Sequence, residues 1–457
     1  MIVAPDDLPS VAIVGGGLAG LSAAWHLKAR AKHISVVLME KEGRLGGRAC
    51  TPFAWKVDHG AHYFLKSEAS LWGLIREMGF PRAVRLIDEQ NAAFDGSWVD
   101  STEFGEASKV PFGYSTSLQA VRKLFRGLPD TVRRLRRVLG PKGSLRRSVS
   151  TQMFDVWLRE ALDDDSDAQE FVRLLLLGDI CAPHGHVTTT IGKGCLDSLV
   201  RESERWYCLR GGMGQLVRDL SKRLRESGVR ILKGCETREI RRARRRFRIT
   251  GLRRGRSFHG LFDAVIMAAP LDGSLTILGQ RPRREYHAYI SVLLKMQSSP
   301  DRVFSRIVKG GLTTGRTVYF VTRQGSGIYR MLIPDARQLC EWSDSAIRNR
   351  CREDLVALAQ LPRSALNGSR WSVKRWRVGL PCSLPLERPD TVPGLVYAGD
   401  WTAQFPSMDG AVKSGKVAAK EVTEYVRANH TNSSLLPENR GNRTVFGALE
   451  SAETTFN

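Results

Sequence analysis

No stretch of the chain approaches the ~20 apolar residues that a membrane-crossing helix requires. The most apolar segment, FVRLLLLGDICA, is short and carries Arg173 and Asp179. The N-terminal MIVAPDDLPS has no basic region followed by an apolar run, so no secretory signal is expected. The eight cysteines include no CxxC pair and show no regular spacing, which argues against a disulfide framework or a zinc site and fits reduced thiols in the cytoplasm. His184 and His186 stand close together without a third ligand at metal spacing, so no metal is expected there. Acidic residues are also in short supply. Lys plus Arg number 70 against 47 Asp plus Glu, a net charge of +23. Aromatic and basic residues do not interleave as base-stacking surfaces require, which removes nucleic acid as the first explanation of that charge.

The 457 residues exceed what one hydrophobic core organises, so two or three domains are expected. The positive surplus gathers in 121–147 and in IRRARRRFRITGLRRGR (240–256). The second run alternates as a β-meander would, with its arginines facing water. The first can form a helix with Leu124, Phe125, Leu128, Val132, Leu135 and Val138 on one side and arginines around the rest. Such a helix either packs on a core through its apolar stripe or lies on an anionic membrane surface.

VAIVGGG reads as a buried strand entering a glycine turn, and LSAAWHLKAR continues as a helix with Leu21, Ala24 and Leu27 toward the core. Gly15, Gly17 and Gly20 make GxGxxG. The first permits the tight turn, the second lets backbone approach a diphosphate, and the third lets helix pack on sheet. A second strand, ISVVLME, ends in Glu40, placed to accept hydrogen bonds from ribose hydroxyls.

The residues that follow are more specific. EKEGRLGGRACT resembles the E-x-x-x-R-x-G-G-R-x-x-T extension of the flavin-dependent amine oxidase and phytoene desaturase superfamily, with Glu40, Arg44, Gly46, Gly47, Arg48 and Thr51 matching. VDHGAHYF (57–64) is similar to the segment beneath the flavin ring, through Asp58, His59, Gly60 and Ala61. LRGGMGQLVRDLSKRLRESGVRILKGCETREI (209–240) resembles the family's GGM-led helix and next strand. Thr237 stands there where most members carry valine and contact adenine through the backbone. FDAVIMAAPL (262–271) is similar to the strand that closes the FAD-binding sheet. GLVYAGDWTAQFPSMDGAVKSGKVAAKEV (394–422) resembles the second flavin motif, in which Asp400 would accept hydrogen bonds from the ribityl chain. A helix starting near Asp409 would bring small residues Gly410, Ala411, Ser414 and Gly415 to the ring and aim its N-terminal dipole at it.

The resemblance implies an α/β flavoprotein of the GR2 type. A Rossmann-like FAD-binding domain (8–75, 208–275 and 388–430) would join a discontinuous α+β substrate domain (76–207 and 276–387), followed by a loose tail, 431–457. It implies non-covalent FAD, since Cys382 is not in the context of the covalent flavin cysteine. Besides the residues above, Ala19, Gly399 and Met408 fall at cofactor-binding positions. Trp376, in VKRWRVGLPCSLP, and His59 are candidates to line the flavin; His62 reads as a buried structural histidine. AGDWT…PSMDG looks most like the plant and cyanobacterial phytoene and ζ-carotene desaturases and the squalene-associated, hopanoid-pathway desaturases. The expected reaction is therefore flavin hydride transfer with an apolar isoprenoid or polyene, either desaturation or a step such as reductive dehydroxylation. An amine or amino-acid oxidase that releases peroxide is the alternative within enzymes. An FAD-bound binding protein is the alternative outside them. A basic 121–147 would dock a desaturase on the anionic bilayer holding its substrate.

Overall fold

The structure, a computed structural model, describes residues 8–86, 92–94, 98–100, 133–140, 152–163, 186–200, 206–283, 286–297, 310–312, 320–325, 327–359, 361–381, 392–403 and 405–434, with single positions between them. Its strands are β1 (Ser10–Val14), β2 (Ser35–Glu40), β3 (Tyr63–Leu65), β4 (Val84–Leu86), β5 (Ala92–Phe94), β6 (Trp98–Asp100), β7 (Trp206–Leu209), β8 (Arg230–Lys233) and β9 (Cys235–Ala243). They continue as β10 (Arg246–Arg253), β11 (Arg256–Phe262), β12 (Ala264–Met267), β13 (Tyr289–Lys295), β14 (Gly310–Leu312), β15 (Phe320–Gly325), β16 (Ile328–Ile333), β17 (Arg370–Trp376) and β18 (Leu395–Tyr397). The helices are α1 (Leu18–Arg30), α2 (Ala69–Glu77), α3 (Phe154–Ala161), α4 (Thr189–Val200), α5 (Met213–Glu226), α6 (Leu271–Ile277), α7 (Asp344–Ala359) and α8 (Met408–Ser434).

A parallel sheet in the order β18-β12-β1-β2-β8 forms the centre. Its inner strands read as continuous apolar runs because both faces are covered. Alternate residues of β1 enter different cores. Val11 and Ile13 pack with α1, α5 and α8, while Ala12 and Val14 pack with β9, β10, β11 and α6. The β9–β11 meander is antiparallel and alternates buried apolar residues with exposed arginines such as Arg241 and Arg248. A second large sheet, β14-β15-β16-β13-β17, is antiparallel and packs Val292, Leu294, Tyr329 and Met331 against Ile347, Cys351 and Leu355 of α7.

Three expectations are corrected. The strand of FDAVIMAAPL does not close the parallel sheet: β12 lies between β1 and β18, because β18 pairs along its free side from Val265 to Met267. The C-terminal tail does not begin at 431, since α8 runs through Ser434; residues 435–457 lie outside the described ones. In the basic stretch, residues 133–139 are helical and bury Leu135 and Leu139, so Val138, one residue off that stripe, is 44% exposed. Residues 121–129, with Leu124, Phe125 and Leu128, Val132 and residues 141–147 lie outside the described residues. Among the described residues no helix is long and apolar enough to cross a membrane.

Candidate functional site

Two glycine turns meet at the C-terminal ends of β1 and β2. Gly15 has φ +112°, and a Cβ there would stand 2.6 Å from the Ala268 carbonyl oxygen, so both conformation and space demand glycine. Gly46 donates its N–H to Gly16 O at 2.8 Å, and Gly47, at φ +55°, would bring a Cβ within 3.2 Å of Gly17 Cα. The turns thus lie backbone on backbone, leaving a cradle that side chains would fill. Gly20 does not face that cradle: its missing Cβ would sit 1.9 Å from Gly15 O, so it sets the seat of α1 on the sheet.

Glu40 closes the adenosine side. Its Oε2 accepts from Gly16 N at 2.7 Å and its Oε1 from Glu42 N at 2.8 Å, which fixes the carboxylate with lone pairs to spare. Burial pushes its pKa up, and the same two hydrogen bonds oppose that rise. Thr237, on β9 beside it, is buried with its hydroxyl 3.9 Å from the sulfur of Met39.

The second turn is braced by its own arginines. Arg44 donates to Gly47 O at 2.9 Å. Arg48 donates to Gly379 O at 2.5 Å and forms an ion pair with Asp400, also at 2.5 Å, joining motifs 352 positions apart. Below it, the side chain of Thr51 donates to Asp58 and accepts from Gly214 N at 2.7 Å, while Met213 N donates to Asp58 Oδ2 at 3.0 Å. These bonds occupy the first amides of α5. Burial pushes the Asp58 carboxyl up to about 6, against the hydrogen bonds from Thr51 and Met213.

Together these pieces border a cavity of about 760 Å³, within the ~300–1,000 Å³ range of cofactor pockets. Gly15, Gly17, Ala19, Glu40, Arg44, Gly46, Gly47 and Arg48 line it. So do Gly60, Ala61, Thr237, Gly399, Asp400, Met408 and Ala411. The cradle, the fixed carboxylate and the two arginines fit the diphosphate and ribose of FAD. Asp409 is not at the cavity; its Oδ1 accepts from Leu71 N at 2.8 Å and so faces α2. The small residues of α8 also work elsewhere. A Cβ on Gly415 would come 2.3 Å from Ala19 O, Gly410 abuts Ala403 and Phe405, and Ser414 accepts from Gly399 N, which leaves Ala411 toward the cavity.

At the other end stand Tyr289 of β13, Arg330 and Leu332 of β16, and Lys374 to Trp376 of β17. The two histidines exchange their expected places. His59 does not line the cavity; it is buried with its ring between Ser291 Oγ (3.2 Å) and Ser372 Oγ (2.8 Å). His62 lines the cavity and touches Arg330 through Nδ1. Trp376 stacks near Tyr289, with ring centroids 6.0 Å apart, and donates to His59 O at 3.3 Å. Arg375 lies at a seam, bonded to Asp344 and to Trp342 O.

Arg330 was not anticipated. It is 6% exposed, its Nε has no partner, and no carboxylate among the described residues pairs with it. IYRMLI is an alternating strand in which Tyr329 and Met331 enter the third core. A lone arginine on its other face is the signal that could have found it.

A family model described as flavin containing amine oxidoreductase matches residues 18–423. Putrescine oxidase solved with putrescine bound superposes with a TM-score of 0.67 at 18% identity, covering 91% of this chain and 99% of that one. Cyclohexylamine oxidase from Brevibacterium oxydans gives 0.65 at 16% identity, over 92% and 99%. A proposed protoporphyrinogen oxidase from Exiguobacterium gives 0.64 at 17% identity, over 92% and 99%. No curated protein matches the sequence.

Proposed function

The chain belongs to the flavin-containing amine oxidoreductase family and is an FAD-dependent oxidoreductase, and from that premise we propose that its substrate is an apolar molecule of isoprenoid or polyene type. Bound FAD would supply the two-electron, hydride-accepting chemistry needed to remove one hydrogen from each of two adjacent carbons. The glycine turns, Glu40, Arg44 and Arg48 hold the adenosine and diphosphate in this reading, and Asp400, Met408 and Ala411 border the ring end.

The observation that carries the substrate class is the makeup of the cavity's far wall. Tyr63, Phe64, Tyr289, Leu332 and Trp376 supply hydrocarbon surface, and beside them stand two cations, Arg330 and Lys374, and the carboxylate of Glu68. A buried guanidinium repels a protonated amine and does not hinder a neutral hydrocarbon. The carboxylates Glu40, Glu42 and Glu236 belong to the glycine-turn end, and Asp400 is paired with Arg48.

A second reading, amine oxidation with release of peroxide, is favoured by Glu68. Its carboxylate lines the same wall and accepts from Leu65 N at 3.0 Å. Two of the similar structures are amine oxidases. Anaerobic bleaching of the ~450 nm flavin band separates the two readings. Bleaching by squalene- or carotene-type compounds and not by amines is the expected result. Bleaching by amines alone, with peroxide on readmitting air, would reverse it.

A further inference from the structure

We propose that the Pro52–Lys56 turn and the basic face beside it form a docking surface for an anionic phospholipid bilayer. Phe53 is 82% exposed, while among the described residues the next large apolar side chain, Val417, reaches 47%. It stands on a hydrogen-bonded turn. Pro52 O accepts from Trp55 N at 3.0 Å and from Lys56 N at 3.2 Å, and Lys56 takes φ +54° to close the turn. The base of the turn is tied down by the Thr51–Asp58 bonds to α5. A partner that accepts hydrocarbon would take the Phe53 ring's apolar surface out of water.

The surroundings specify that partner's charge. Arg218 lies 6.0 Å from the Phe53 ring centroid, and Arg370 lies 5.8 Å from that of Trp55. Next to the turn is a cleft of about 400 Å³ walled by Arg44, Arg218, Arg225 and Lys233, with no carboxylate in its wall among the described residues. Arg218, Lys222 and Arg225 follow the helical repeat along one exposed stripe of α5. Asp219 and Glu226 sit about 100° further round, with Glu226 3.9 Å from Lys222. An aromatic tip rimmed by cations has the makeup of a surface that sinks a ring among acyl chains while its arginines meet phosphates. The cleft has room for a headgroup phosphate. This inference does not depend on which substrate is oxidised.

Flotation of the full holoprotein with vesicles tests it. The protein should float with phosphatidylglycerol–phosphatidylcholine vesicles, stay down with phosphatidylcholine alone, and be released by high salt. Phe53→Ser should weaken the binding about tenfold, as loss of one inserted ring predicts. The Arg218→Glu/Arg225→Glu pair should weaken it by at least about tenfold, as reversal of two surface charges predicts. Both variants should keep flavin absorbance and thermal midpoint, which certifies their fold. Absence of flotation with phosphatidylglycerol would overturn the proposal. Equal flotation of all three proteins would also overturn it, by placing the lipid contact elsewhere. A wild-type dimer that Phe53→Ser dissociates would show instead that a second copy covers the ring.

Discussion

His59 carries a proton-linked cost. Burial, reinforced by the positive charges of Arg330 and Lys374, lowers its pKa from 6.5 to about 3. The unfolded chain therefore binds a proton below pH 6.5 that the folded chain refuses, and stability is lost as pH falls from 6.5 toward 3. Each pH unit well inside that window costs about 1.4 kcal/mol. Urea unfolding at pH 7 and pH 5 should differ by about 2 kcal/mol from this residue, and His59→Gln should flatten that part of the acid limb. An identical acid limb in the variant would show that His59 does not titrate this way. Arg330 is the opposite kind of residue, a buried charge that meets Gly60 O and His62 Nδ1 but forms no ion pair among the described residues. Arg330→Met removes a desolvated guanidinium, so the thermal midpoint should hold or rise while flavin reduction by amines gains at least about tenfold relative to reduction by apolar compounds. A lower midpoint with unchanged reduction would make Arg330 a strut for Gly60 O and His62. Neither role was legible in the sequence. Period two assigns Arg330 to the face opposite Tyr329, but which face meets the cavity depends on how β16 lies against the segment at Gly60 and His62. Gly15 and Glu40 were legible because what they need, a positive φ and a strand end, is local.

At the scale of elements, the contact between α1 and α8 explains Gly415, a residue expected from the sequence at the flavin. Gly415 lets the helix backbones touch, and Ser22 Oγ donates to Val412 O at 2.7 Å across the same contact. α1 carries the first glycine turn and α8 begins at Met408 beside the cavity, so their spacing transmits to the cofactor cradle. Gly415→Ala would drive its Cβ to 2.3 Å from Ala19 O, an overpacking worth about 1–3 kcal/mol. The expected outcome is a lower thermal midpoint together with weaker FAD retention after gel filtration, because the two helices cannot part without opening the cradle. Loss of stability with full FAD retention would uncouple the helix contact from the site. The small residues of α8 were visible in the sequence, and their helix was predicted. Their partner was not, because a glycine records only that something comes close.

The whole molecule is organised around a join that no local pattern reports. Arg48 and Asp400 meet through the cavity wall, and β12 joins the central strand β1 to the edge strand β18 of the parallel sheet. Both flavin motifs were readable singly, as strand, turn and helix. Their direct ion pair was not, since each was assigned its own part of the cofactor. Asp400→Ala should act at this scale. It leaves Arg48 with only Gly379 O and removes an acceptor from the cavity, so FAD affinity should fall by about tenfold or more, the usual loss for a hydrogen bond to a charged group. A ligand bound by the folded state alone stabilises it by about 2.7 kcal/mol at a hundred times its dissociation constant. Stripping FAD from the wild type should therefore lower the thermal midpoint by several degrees, and adding it back should restore them. In Asp400→Ala the same addition should recover only part of the shift at equal FAD. If wild type and variant regain the same shift, the Arg48–Asp400 pair is a fold contact and the cofactor is held from the glycine-turn end alone.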